Sequence, residues 1–172
     1  YAAPPVGDMR WKPPAPAASW EGIRECTAFS KITVQSAMMG IATSGPQSED
    51  CLYLNVLTPA KKAADRLPVM VWLHGGAYAM GSGNDALINL HRLPQQGIVQ
   101  VNVNMRLNTM GLFAHPLLTR ESPNHSSGNY MFLDMIAALQ WVQRNIATFG
   151  GDPGNVTIFG ESGGGAKVST LM

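Results

Sequence analysis

The serine at position 162 lies at the centre of a glycine-rich stretch, Gly-Glu-Ser-Gly-Gly, at residues 160–164. The run Asn-Val-Thr-Ile-Phe before it predicts a strand, and the small residues 165–172 after it predict a helix. A sharp strand-to-helix turn strains its central residue and needs glycine neighbours, because side chains there would collide with the strand and the helix. Such a turn presents a serine hydroxyl to a substrate carbonyl, so the stretch indicates a nucleophile.

Two other interpretations of this stretch involve no nucleophile. In the first, Ser162 only caps the helix that follows it, as serine commonly does. In the second, the glycines and Lys167 form a phosphate-binding loop. That loop requires the lysine directly after the last glycine of G-x-x-x-x-G, whereas Ala166 follows Gly165 here. The spacing therefore excludes the phosphate-binding loop, and the capping interpretation stays open.

A second glycine cluster follows a predicted strand far upstream. Residues 67–73, Leu-Pro-Val-Met-Val-Trp-Leu, form an apolar run that predicts a fully buried strand, and His-Gly-Gly-Ala-Tyr follows at 74–78. In α/β-hydrolases a loop of this type supplies backbone N–H groups that stabilise the oxyanion of acyl transfer. The alternative is an ordinary Gly-Gly turn. It is the weaker interpretation because the Ser162 stretch follows downstream.

Together with three further segments, these motifs resemble the type-B carboxylesterases, a family that includes the cholinesterases and many bacterial esterases. Residues 1–11 are similar to the family's early proline-rich segment. Residues 48–55, Ser-Glu-Asp-Cys-Leu-Tyr-Leu-Asn, match its long and specific first signature, and residues 149–157 before the serine stretch match its second. The resemblance runs over almost the whole chain and favours a bacterial-type member.

The resemblance implies roles for individual residues. Ser162 is the expected nucleophile, and the backbone N–H groups of Gly76, Ala77 and Gly163 are the expected oxyanion hole. The usual family residue after the serine is alanine, so Gly163 is expected to keep the N–H contact but to loosen the turn. Candidates for the substrate-pocket wall are Gly75 and Tyr78.

The resemblance also implies pairs that support the scaffold. The expected ion pairs are Arg10 with Glu49 and Arg106 with Asp134. Cys26 is expected to form a disulfide with Cys51, which would indicate an exported protein, periplasmic or secreted. The alternative is two free thiols in a cytoplasmic enzyme.

A serine nucleophile needs a histidine base that is oriented by a carboxylate. In this fold the chain order is serine, then acid, then histidine, yet the ten residues after Ser162 include neither an acid nor a histidine. His74 belongs to the oxyanion loop, and surface or packing roles are expected for the other histidines, which are His91, His115 and His125. We therefore expect residues 1–172 to be the N-terminal part of a single α/β-hydrolase catalytic domain, with the triad acid and histidine beyond its end.

The remaining pattern predicts an α/β fold with a mostly parallel central sheet and helices on both faces. Strands are expected at 51–57, 67–73, 98–104 and 155–159. Helices are expected at 85–93 and 130–149. The apolar face of the second helix is expected to comprise Phe132, Ile136, Leu139, Val142 and Ile146. Gly150 and Gly151 are expected to end it.

Composition narrows the class of protein. Apolar residues make up 45% of the chain and charged residues 13%, which suits elements covered by neighbours, and the net charge is only +1. No run is long enough to span a membrane. We expect no nucleic-acid partner, no metal and no cofactor, since ester hydrolysis by serine requires none. The resemblance implies a serine esterase that cleaves small carboxylic esters through an acyl-enzyme. The alternatives are a non-catalytic cholinesterase-like binding or adhesion protein and an inert fragment.

Overall fold

The computed structural model describes residues 1–38 and 45–172, and this part of the chain forms a four-stranded sheet. The strands are β1 (Leu54–Leu57), β2 (Leu67–Leu73), β3 (Val99–Val103) and β4 (Gly151–Gly160). Their order is β1-β3-β2-β4. β1 is antiparallel to β3, whereas β2 runs parallel to both β3 and β4. The prediction of a mostly parallel sheet is therefore confirmed.

The described residues form four α-helices, three between β3 and β4 and one after β4. They are α1 (Asn108–Leu112), α2 (Pro116–Glu121), α3 (Tyr130–Asn145) and α4 (Gly163–Leu171). Short 3-10 helices lie at Gly7–Met9, Ala63–Asp65, Pro94–Gln96 and Ile146–Phe149. As predicted, a glycine ends the long helical segment: Gly150 adopts φ 79°, and its N–H bonds back to Ala147.

The core lies on one face of the sheet, where Val69 and Val71 of β2 adjoin the valines of β3. Helices α3 and α4 pack against this face. The prediction that β2 is buried on both faces is wrong, because Met70 and Trp72 are only half-buried. Their side chains point to the opposite face, which the described residues cover incompletely at β2.

The face of α3 that meets the sheet differs from the predicted one. The buried residues of the helix are Tyr130, Met131, Asp134, Met135, Ala138 and Val142. Of the predicted face, Val142 and Ile146 are fully buried, but Ile136 is exposed and Phe132 is only partly covered. The buried face instead follows Met131, Met135, Ala138 and Val142, which also have helical spacing, and it includes Asp134, which pairs with Arg106.

The opposite face of the sheet carries amide side chains on β3. Gln100 and Asn102 are buried because they bond to the segment between β2 and β3: Gln100 donates to Ile88, and Asn102 donates to Asn89. The predicted helix at 85–93 is wrong, since this segment consists of turns and the 3-10 helix that begins at Pro94. The Asp85 carboxylate accepts from the Leu87 N–H and the Asn89 side chain donates to Gly83, and such side-chain bonds compete with a regular helix.

The architecture is that of an α/β protein, with α-helices on one face and turns with a 3-10 helix on the other. None of the helices in the described ranges is long and apolar enough to cross a membrane. In the parallel pairing of β2 with β4, Leu73 lies opposite Gly160, the last residue of its strand. The glycine clusters at 74–78 and 160–164 therefore begin next to each other at the same edge of the sheet.

Candidate active site

Ser162 occupies the turn between β4 and α4. Its backbone has φ 55° and ψ −124°, a combination that side-chain-bearing residues rarely adopt and that marks stored strain. The turn is closed by main-chain bonds, from the Gly164 N–H to Glu161 and from the Ala166 N–H to Ser162. The serine is exposed, and its hydroxyl makes no capping bond to α4. The capping interpretation of the sequence thus does not describe this residue.

The loop after β2 has an unusual backbone. Gly76, Ala77 and Tyr78 have φ angles of 93°, 50° and 63° in succession. The Gly76 carbonyl accepts from the N–H groups of Ala79 and Met80, which closes the loop on itself. A Cβ atom at Gly76 would overlap the Met80 carbonyl, so this position requires glycine for both its φ angle and its space.

The two loops touch each other. A Cβ atom added at Gly163 would lie 3.1 Å from the Ala77 nitrogen, and one added at Gly75 would lie 3.4 Å from the Ser162 Cβ. The backbone N–H groups of Gly76, Ala77 and Gly163 form no hydrogen bond to any residue that the structure describes. Unpaired donors beside an exposed serine are what an oxyanion requires.

Two buried polar residues, His74 and Lys167, contact each other at the loop 74–78. The Lys167 ammonium donates to the His74 carbonyl oxygen at 2.7 Å, and Nδ1 of His74 contacts the Gly75 carbonyl oxygen at 2.9 Å. Nε2 of His74 has no partner among the described residues. Burial, together with the nearby Lys167 charge, lowers the pKa of His74 to about 3, whereas burial lowers the pKa of Lys167 to about 8. His74 is therefore neutral and too weak a base to activate a serine at neutral pH.

The sequence patterns indicate Lys167 only as a phosphate-loop candidate. They do not predict its contacts with the loop 74–78. The one available signal was a lysine within the otherwise uncharged segment 162–172. Tyr78, predicted to line the pocket, packs edge-on against Phe132 at 6.3 Å between ring centroids. Its ring also lies 5.8 Å from the Lys167 ammonium, so Tyr78 joins the loop to the core.

The other three histidines are exposed. His91 lies in the turns before β3, His115 accepts from the Leu117 N–H at the start of α2, and His125 lies in the following loop. None of them bonds to Ser162 within the described ranges. The residues of this chain that the structure describes therefore contain no histidine in position to serve as the base.

The structure forms ion pairs at both of the expected places. Arg10 Nε lies 2.6 Å from Glu49 Oε2 in a partly exposed pair. Arg106 binds both carboxylate oxygens of Asp134, at 2.6 and 2.8 Å, in a fully buried pair. Burial raises the pKa of Asp134, and the hydrogen bonds from Arg106 oppose that rise.

The expected disulfide between Cys26 and Cys51 is not present, and both thiols are free. Cys26 is exposed, with its sulfur near the Arg24 carbonyl oxygen, whereas Cys51 is completely buried, so the two sulfurs lie in different environments. Burial raises the pKa of the Cys51 thiol to about 12. The argument for export that rested on this bond is therefore lost. No cluster of three or more potential metal ligands occurs in the part of the chain that the structure describes.

Comparison with known proteins identifies the family. Residues 1–172 match the model of the carboxylesterase family, and the chain belongs to that family. Its sheet and its esterase neighbours define the α/β-hydrolase fold. It is 47% identical over 174 residues to the fumonisin B1 esterase of Sphingopyxis macrogoltabida. The alignment covers all of this chain and 32% of that protein. It is 45% identical over 176 residues to the para-nitrobenzyl esterase of Bacillus subtilis, covering all of this chain and 35% of that protein.

The solved structures agree. A para-nitrobenzyl esterase structure superposes with a TM-score of 0.87 at 40% identity, covering 98% of this chain and 34% of that one. The chain thus spans about a third of the length of the relatives that it matches. These relatives include both bacterial and mammalian carboxylesterases.

Proposed function

We propose that this protein hydrolyses small carboxylic esters through an acyl-enzyme on Ser162. The observation that carries the proposal is the strained, exposed serine beside the backbone N–H groups of Gly76, Ala77 and Gly163, which form no hydrogen bond among the residues that the structure describes. Family membership supports ester hydrolysis in general. The names of two relatives, fumonisin B1 esterase and para-nitrobenzyl esterase, support carboxylic esters as the substrate class.

In the proposed mechanism, the Ser162 Oγ attacks the ester carbonyl carbon and transfers its proton to a histidine base. The carbonyl oxygen becomes an oxyanion that accepts hydrogen bonds from the backbone N–H groups at 76, 77 and 163. Collapse of the intermediate breaks the bond to the alcohol, which leaves with the proton from the histidine. Water, deprotonated by the same histidine, then releases the acid and restores the serine.

The base and its carboxylate partner are proposed to follow Met172 in the same catalytic domain. Two observations support this: His74 is buried with a strongly lowered pKa, and none of the three exposed histidines hydrogen-bonds to Ser162 among the residues that the structure describes. The chain order serine, acid, histidine of this fold leads to the same expectation. Residues 1–172 would then contribute the nucleophile and the oxyanion hole.

The test is a fluorophosphonate probe applied to the full-length protein, followed by peptide mass spectrometry. We expect modification of Ser162 and no modification of Ser169, an exposed serine on helix α4, which begins directly after Ser162. Ser162→Ala should fold normally and lose p-nitrophenyl acetate turnover by about 10⁴-fold or more, whereas Ser169→Ala should match the wild type. A folded protein that the probe does not modify would instead support a non-catalytic binding role.

A further inference from the structure

Lys167 places an ammonium group in a buried position, where desolvation of a charge costs free energy. Its side chain is completely buried on the third residue after Gly164, in the first turns of α4. No carboxylate lies within ion-pair distance of its ammonium among the residues that the structure describes. An apolar side chain of the same length would fill this space without the cost of desolvating an ammonium. The retained charge therefore needs an explanation in the contacts that it makes.

Those contacts are with the two ends of the oxyanion loop. The ammonium donates to the His74 carbonyl oxygen at 2.7 Å, at the residue that begins the loop. It also lies 5.8 Å from the centre of the Tyr78 ring, at the residue that ends it, a distance typical of a cation–π contact. Between these two anchored residues lie Gly76 and Ala77, whose N–H groups have no hydrogen-bond partner in the described part of the chain.

The helix that carries Lys167 also carries the other half of the site. α4 begins directly after Ser162, and Gly164 lies so close to the Leu73 carbonyl that no side chain could be accommodated there. Lys167 thus links helix α4, which follows Ser162, to the loop 74–78 by a buried, charge-assisted hydrogen bond. Such a bond is stronger than a neutral one.

We propose that Lys167 is a positioning residue whose ammonium fixes the loop 74–78 so that the N–H groups of Gly76 and Ala77 face Ser162. This inference rests on the proposed esterase function. Loss of the lysine should affect kcat more than KM, because the oxyanion donors act mainly in the transition state. Deprotonation of the same group should have a similar effect.

The expected pH dependence follows from burial. Burial lowers the pKa of Lys167 from 10.5 to about 8, so the ammonium loses its proton in mildly alkaline solution. Of the groups that face it, His74 is neutral at this pH, because its own pKa is lowered to about 3, and Tyr78 presents its ring. Titratable groups on the remaining elements packed against α4 are Glu161, Tyr130, Asp134, Arg144 and Asp152. Asp134 and Asp152 are each paired with an arginine.

The sign of the linked stability distinguishes this role from simple packing. Between about pH 8 and 10.5 the unfolded chain binds more protons at this lysine than the folded chain does, so deprotonation makes the folded state more stable as the pH rises. The same deprotonation should lower kcat. Activity and this contribution to stability therefore move in opposite directions, which a residue that only fills space would not produce.

The experiment uses the full-length protein with p-nitrophenyl acetate as substrate. Lys167→Met should lower kcat by about 10- to 100-fold with little change in KM, since it removes a hydrogen bond from a charged group. Its kcat should also lack the alkaline decline with an apparent pKa near 8 that we expect for the wild type. Lys167→Gln, which keeps a neutral donor, should lie between the two. Lys61→Met, at an exposed lysine, is the matched control and should resemble the wild type.

The inference is overturned if Lys167→Met folds and keeps both the wild-type kcat and its alkaline decline. Should both Lys167 variants fail to fold, a wild-type kcat that stays constant from about pH 7 to about pH 10 overturns it equally. If the probe modifies Ser162 while the Lys167 variants behave as wild type, only this inference fails. If Ser162 is neither modified nor required for turnover, the proposed function fails and this inference fails with it.

Discussion

Gly164 packs against the main chain of Leu73, the residue with which β2 ends. A Cβ atom added at Gly164 would overlap the Leu73 carbonyl oxygen and lie 3.1 Å from the carbonyl carbon of His74. The start of α4 therefore packs directly against the strand that leads into the loop 74–78. The neighbouring Gly163 has more room, since a Cβ there would meet the Ala77 nitrogen at 3.1 Å and no other atom closer than 3.4 Å.

These adjacent glycines should respond differently to the same substitution. Gly164→Ala should displace α4 from β2, lowering the free energy of unfolding by about 1–3 kcal/mol, as overpacking does, and abolishing most esterase activity. Gly163→Ala should stay within about 1 kcal/mol of the wild type, because alanine suits a helix better than glycine. Urea unfolding and kcat of the two variants provide the test. Equal effects of the two alanines would contradict the described contact.

The buried pair of Arg106 and Asp134 should matter far more to stability than the exposed pair of Arg66 and Asp152. Arg106→Met leaves the Asp134 carboxylate buried without its partner, which typically costs about 3–5 kcal/mol. Arg66→Met should have only a small effect, because its pair is screened by solvent. Urea unfolding midpoints compare the two variants, and a similar loss in both would count against the buried geometry.

His74 should make the folded state sensitive to acid. Its folded pKa of about 3 lies below the ordinary value of 6.5, so between these two values the unfolded chain binds more protons. As the pH falls below about 6.5, this group alone removes about 1.4 kcal/mol of stability per pH unit. His74→Gln should show a shallower decline in urea stability between about pH 6.5 and 4.5. Parallel declines in the variant and the wild type would show that His74 is not buried in its neutral form.

The two cysteines should differ in reactivity. Iodoacetamide under native, non-reducing conditions should alkylate the exposed Cys26 and leave Cys51 unmodified, because a buried thiol with a raised pKa rarely forms the reactive thiolate. Unfolding in urea without reductant should expose the second thiol to alkylation. Mass spectrometry counts the modified sites. A protein that takes up no label even when unfolded would contain the disulfide that the structure lacks.

Local sequence patterns predict the structural features that depend on consecutive residues. The strand β2 has the predicted bounds, and the glycine at 150 ends the long helical segment as expected. The strand-to-helix turn around Ser162 was predicted for the same reason: glycine spacing and the period of apolar residues are properties of a short window.

Long-range polar contacts decided the features that the sequence patterns missed. The buried face of α3 includes Asp134, whose partner Arg106 lies in the segment after β3. The predicted helix at 85–93 is replaced by turns whose side chains bond to β3. The role of Lys167 depends on a carbonyl group 93 residues away in the chain. Apolar periodicity contains no information about such partners.

The pairing of β2 with β4 has a further consequence for how this protein can diverge. Main-chain bonds between the two strands hold the turn at Ser162 beside the loop that begins at His74, and the connecting segments 84–96 and 113–128 lie outside this pairing. A slip of β4 by one residue would instead carry the serine about 3.3 Å along the strand and turn its apolar side chains outward. These connecting segments can therefore change in length while the placement of the serine turn against the loop 74–78 is inherited unchanged.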